Sequence, residues 1–238
     1  MRRSRSAFDS TLYVAGQHVP RVVAGLVAAV LVVTILAAVG KRNGLPVFEL
    51  ATLVPELVLR GQVWRLVTWP FIAGDFLPLV FGCLALWFVG RDLASAWGGA
   101  RFLGVFFAVA AAAGALTCLV ALVWPLLRIV PLHGTWAMVD ALFIAWAILF
   151  PARQILMWFV LPLRGQTLLY VVVGGTVLVS LLDGPVFYVP HFMAELLMLA
   201  WLKLPQWRAQ VAVRMQRRRR ASHLRTVGSW GEKPRWYH

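Results

Sequence analysis

The residues of this chain most able to do chemistry are Asp140, His191 and Glu195, each set inside an apolar run. Asp140 stands one turn after Trp136 in the run from Gly134 to Pro151. His191 and Glu195 stand one turn apart, on one helix face, in the run from Val186 to Leu204. A charged carboxylate near the middle of a spanning helix costs about 2.5 to 3.5 kcal/mol even on lenient insertion scales, so it must face protein or water. The two runs are therefore expected to meet through these side chains. That meeting predicts a cluster sharing protons, with at least one carboxyl neutral or ion-paired to an imidazolium. Such a cluster acts either as a polar clamp between helices or as a pH-sensitive, proton-carrying site. His191 and Glu195 give too few ligands for a metal unless Asp140 and His133 converge as well, and neither metal nor cofactor is expected.

The run holding Asp140 is only about 26 Å long as a helix, against ~30 Å of hydrocarbon. Its outer end is expected to lie below the lipid surface, within reach of water. The elements that carry these residues are set by composition. The chain has 238 residues and is 61% hydrophobic, with a mean hydropathy of +0.78. These values exclude an ordinary soluble domain and predict an all-α polytopic protein integral to a membrane. The net charge of +14, from 23 Lys and Arg against 9 Asp and Glu, would suggest nucleic acid in a soluble protein. Here the basic residues gather at the termini and between apolar runs, so topology accounts for them and no nucleic acid is expected. Cys83 and Cys118 both lie in apolar runs and show no ligand or disulfide spacing. The first apolar run is too long for a signal-peptide core.

Residues 1–21 read as a basic, disordered cytoplasmic arm and residues 22–204 as the membrane domain. Six spans are expected over about 22–40, 76–95, 102–124, 134–151, 166–182 and 186–204, with both termini cytoplasmic. The segment 43–69 mixes apolar residues with Glu49, Glu56, Arg60 and Arg65, and reads as short helices at the outer interface. The small run Ala108 to Gly114 should admit a close neighbour. Gln154 to Leu163 reads as an interfacial segment broken by Pro162, Arg164 and Gly165. Residues 205–238 form a basic tail in which Trp207, Val211 and Met215 recur every four residues. The tail and the run Arg217 to Arg220 are expected to meet anionic lipid in the cytoplasm.

Gly61-Gln62-Val63-Trp64-Arg65-Leu66-Val67-Thr68 resembles the GxxWR-type loop element of the rhomboid intramembrane proteases. The likeness continues through Leu86-Trp87-Phe88-Val89-Gly90-Arg91-Asp92-Leu93, Gly98, Arg101-Phe102-Leu103 and Leu149-Phe150-Pro151, over roughly residues 20 to 204. The resemblance implies a six-helix rhomboid-like bundle, with Trp64 and Arg65 anchoring the first loop. It also implies a serine in a GxSG element on the fourth span and a histidine on the sixth. The element falls on Gly134-Thr135-Trp136-Ala137, which puts Trp136 in the place of the nucleophile. Pro78 and Gly82 fall where the family carries its oxyanion-stabilising histidine and asparagine, and neither has a donor side chain. Only His191 matches the dyad.

A non-cleaving rhomboid-like protein is therefore expected, an inactive relative of the proteases that holds transmembrane segments of client proteins between its second and fifth spans. Trp136 is expected to plug the former active-site cavity. One alternative is an active protease with a displaced nucleophile, for which Ser180 and Thr135 are the candidates. Another is a proton-linked transporter using Asp140, His191 and Glu195. A bacterial inner membrane is the expected location.

Overall fold

The computed structural model describes residues 11–14, 17–157 and 161–204. Contacts divide the chain into Met1–Leu199 and Ala200–His238, and of the second unit only residues 200–204, all helical, are described. The tail expected over residues 205–238 lies outside the described residues. Helices form where apolar runs are uninterrupted. The run from Val22 to Gly40 carries no charge, and it lies in α1 (Arg21–Arg42), whose last turn holds Lys41 and Arg42 where cations meet the negative end of the helix dipole.

Three short helices follow, α2 (Val47–Ala51), α3 (Pro55–Leu59) and α4 (Arg65–Thr68). A 3-10 turn over Trp69–Phe71 leads to α5 (Phe76–Trp97). Gly98, at φ +84°, reverses the chain into α6 (Gly99–Val123), a backbone angle that side chains with a Cβ rarely adopt. After α7 (Pro125–Ile129) come α8 (Thr135–Leu149) and α9 (Gly165–Asp183). A 3-10 turn over Pro185–Tyr188 leads into α10, residues 189–204.

Among the described residues five helical segments are long and apolar enough to cross a membrane: α1, α5, α6, α9 and Pro185–Leu204. At 15 residues α8 is shorter, about 22 Å, yet it is the most enclosed of the helices. It packs against α5 on one side and α9 on the other, and α1 packs on α5. Ala137, Met138, Leu142, Ile144 and Trp146 of α8 are all buried. A helix apolar on every face but for Asp140 belongs in such a position. The long helices turn large apolar side chains outward, as at Val32, Leu36, Leu119, Leu178 and Leu181. A continuous apolar exterior of this kind suits lipid and not water.

Two short hairpins depart from the sequence expectation. Thr11–Val14 pairs antiparallel with Gln17–Pro20 directly before α1, where a disordered arm was expected; residues 1–10 of that arm lie outside the described residues. Gln154–Met157 pairs with Leu161–Arg164 between α8 and α9, so the expected interfacial segment is a β-hairpin. β-branched and aromatic residues such as Thr11, Tyr13, Val14 and Val19 favour strands over disorder.

Candidate functional site

The first loop is held by hydrogen bonds from inside. The Arg65 side chain is buried; it donates to the carbonyls of Glu49 and of Thr52, the latter at 2.7 Å, and its Nε donates to Gln62 Oε1 at 2.7 Å. Burial pushes its pKa below the usual guanidinium value, and an arginine keeps its charge in such a setting. Trp64 is half exposed and donates its ring N–H to Leu50 O at 3.3 Å. The fully buried Trp69 places its ring N–H 3.1 Å from Leu66 O and 3.2 Å from Ala110 O. The close neighbour of the small run on α6 is thus this loop.

The start of α8 is fixed by the same loop. Gly134 N–H donates to Trp69 O at 3.0 Å, and a Cβ on Gly134 would lie 1.8 Å from Trp69 Cζ3, so only glycine fits there. Leu53 and Leu132 exchange backbone hydrogen bonds of 2.8 Å. Thr135, also buried, donates its hydroxyl to Pro70 O at 2.9 Å. At the other end of α8, Trp146 donates to Asp92 Oδ2 at 3.0 Å, and Arg153 lies 3.3 Å from the same oxygen.

Between these anchors α8 presents Asp140 to α10. His191 Nδ1 lies 2.9 Å from Asp140 Oδ2, with side-chain exposures of 12% and 16%. An imidazole N–H at Nδ1 donates to that carboxylate oxygen. The Tyr188 ring packs on the imidazole at 5.1 Å between centroids, and its hydroxyl donates to Asp183 Oδ2 at 3.1 Å. Glu195 does not complete the expected trio by a hydrogen bond to this pair. At 3% exposure it meets Thr176 of α9, with Oε1 2.6 Å from the hydroxyl, which is also 3.1 Å from Val172 O. The spacing along α10 explains this: the helix is clasped by two neighbours, and each of its polar residues finds a different one.

A cavity of about 560 Å³ opens beside the Asp140–His191 pair. Its walls come from the start of α5 at Pro78, from Thr135 and Trp136 of α8, from α9 between Val171 and Val179, and from Tyr188 and His191. Trp136 is half-buried and lines the cavity, which stays open beside it. Gly82 faces Thr135, whose methyl would lie 3.3 Å from a Cβ placed there. Ser180 is buried in α9 and is not among the side chains lining this cavity.

Sequence reasoning missed Asp75, Thr176, Asp183 and Tyr188 as members of this site and named His133 only as a possible extra ligand. Asp75 and Asp183 read only as turn residues, yet the expected alternation of spans would have put the start of the second and the end of the fifth at one end, as the cavity they share does. His133 is exposed at its outer edge, yet nearby protein displaces enough water to push its pKa below the usual histidine value. The charge of His191 adds to that lowering and Asp75 opposes it. Among the described residues no three His, Cys, Asp or Glu side chains converge as a metal-binding set.

Residues 24–202 match the family described as eukaryotic integral membrane protein (DUF1751). The chain belongs to this family. It is therefore an integral membrane protein, as its exterior requires, and the description of the family as eukaryotic does not fit the expectation of a bacterial membrane. No curated protein matches the chain.

Proposed function

We propose that this protein is a rhomboid-like, non-cleaving membrane protein that receives transmembrane segments of other proteins between α5 and α9. In this reading α8 is a sixth crossing, enclosed by the others, and both termini are cytoplasmic. One observation carries it: α5 and α9 each pack on α8, and a cavity lined by both holds an oriented imidazole with no hydroxyl set against it. The hydroxyl of Thr135 is committed to Pro70 O, and Trp136 stands where the resemblance calls for serine. Large apolar side chains flank the opening on both helices, Phe76 and Leu77 on α5 and Leu178 and Leu182 on α9. A partner helix would meet an apolar frame around a polar floor.

The test is photocrosslinking in native membranes from probes at Leu77 and Leu178, with Val32 on the outer face of α1 as control. Discrete adducts with membrane proteins from the first two positions and not from the third are expected. The same diffuse background at all three positions would sink the proposal.

A hydrolytic reading draws on one observation, the carboxylate that orients His191 as in a general base. The threonine hydroxyls on the cavity wall are committed elsewhere, Thr135 to Pro70 O and Thr176 to Glu195 and Val172 O, and fluorophosphonate labelling that disappears on Ser180→Ala or Thr135→Val would be needed to revive the reading.

A further inference from the structure

The cavity has a charge as well as a shape. Of the side chains that line it, Asp75, Asp140 and Asp183 are acidic, His133 and His191 are titratable, and none is lysine or arginine. Among the described residues none of these three carboxylates pairs with a lysine or arginine; Asp140 meets His191 and Asp183 meets Tyr188. The two at the edge, Asp75 and Asp183, are exposed. They lie at the start of α5 and the end of α9, the two helices whose apolar flanks frame the opening. The opposite end of the bundle carries Arg91, Arg153 and Arg164, with Asp92 beside the first two. An occupant is therefore offered apolar walls along its length and, at the cavity end, carboxylates with no lysine or arginine among the lining side chains.

Resting on the reading that the groove takes a transmembrane segment, we infer that its occupants are segments carrying a lysine or arginine in the turn that reaches the Asp75 and Asp183 end. Such a side chain is disfavoured in hydrocarbon and finds no complementary charge in lipid tails, so it has a reason to leave lipid for this site. An acidic occupant would face uncompensated carboxylates. The preference comes from the edge pair, which is wet enough to be screened and therefore weakens with salt.

The experiment uses the full chain in neutral-lipid vesicles with fluorescent single-span peptides, a leucine-alanine helix bearing Lys, Leu or Glu at one position near its outer end. Energy transfer to an acceptor at Leu178→Cys reads binding. The Lys peptide is expected to bind roughly tenfold more tightly than the Leu peptide, and the Glu peptide more weakly than either. In the Asp75→Asn, Asp183→Asn double variant the Lys preference should fall to about twofold or less while the Leu peptide binds as before. Should that variant misfold, Asp75→Lys alone must move the preference toward Glu. Equal binding of Lys and Leu peptides overturns the charge inference and leaves the groove reading standing. Transfer no greater than to an acceptor at Val32→Cys for every peptide overturns both.

Discussion

His133 sits at the cavity edge where protein, the positive charge of His191 and the negative charge of Asp75 compete for its proton, and the first two prevail. Because its folded pKa is lowered, the unfolded chain takes up the proton at a higher pH than the native one. The stability tied to its neutral form is complete above the ordinary histidine value of about 6.5 and is lost as pH falls through the depressed native value. Thermal unfolding in detergent should thus weaken on going from neutral to mildly acidic pH, and His133→Asn should flatten that slope. An equally steep slope in the variant would remove His133 as its source. At the nucleophile position, Trp136→Ser would place a hydroxyl on the wall shared with His191, but Pro78 and Gly82 still supply no side-chain donor for an oxyanion. Fluorophosphonate labelling of Trp136→Ser should therefore stay at the wild-type background, and strong labelling would show that backbone donors suffice. The chemistry-bearing residues were readable because a carboxylate inside an apolar run demands a partner. Glu195 went to Thr176 instead of the pair because a threonine facing inward on a neighbouring helix leaves no pattern in the sequence.

Among the elements, α8 is held at its start by the loop through Trp69 and Gly134, and on its flank α9 is tied to α10 through Thr176 and Glu195. Gly134→Ala would drive a Cβ into the Trp69 ring, and overpacking of this kind costs about 1 to 3 kcal/mol. The loss should be less than additive with Trp69→Phe, because the smaller ring leaves room for the methyl. Strict additivity in chemical unfolding would separate the two sites. Thr176→Val leaves a buried carboxyl without its partner and should cost about 1 to 3 kcal/mol, while Thr176→Ser should retain most of the stability. Helix limits fall within a few residues of the apolar runs because charge and Gly or Pro mark them, as at Lys41 and at Asp183-Gly184-Pro185. The hairpins were not legible. Pro162 lies within one strand and reads as a breaker, and Thr11–Val14 is too short for its alternation to stand out against a polar arm.

At the scale of the whole molecule, the proposed topology decides which side of the membrane the cavity faces. The end that carries Asp75, Asp183 and the cavity holds Glu49 and Glu56 as well as Lys41, Arg42, Arg60, Arg65 and Arg128, while Arg91, Arg101, Arg153 and Arg164 lie at the other with Asp92. In the proposed topology, with both basic termini cytoplasmic, the second end faces the cytoplasm and the cavity lies on the far side of the membrane. The native cysteines suit a direct test, since Cys83 and Cys118 are both buried in helices and should react little. A membrane-impermeant maleimide applied to intact cells or sealed, correctly oriented vesicles should label Val63→Cys, an exposed position between α3 and α4. It should label Ala152→Cys, exposed just past α8, only after the membrane is opened. Reversed accessibility would invert the protein and point the cavity at the cytoplasm. Equal labelling of both before opening would mean that the short helix α8 does not separate the two sides, and the six-crossing arrangement would fail with it.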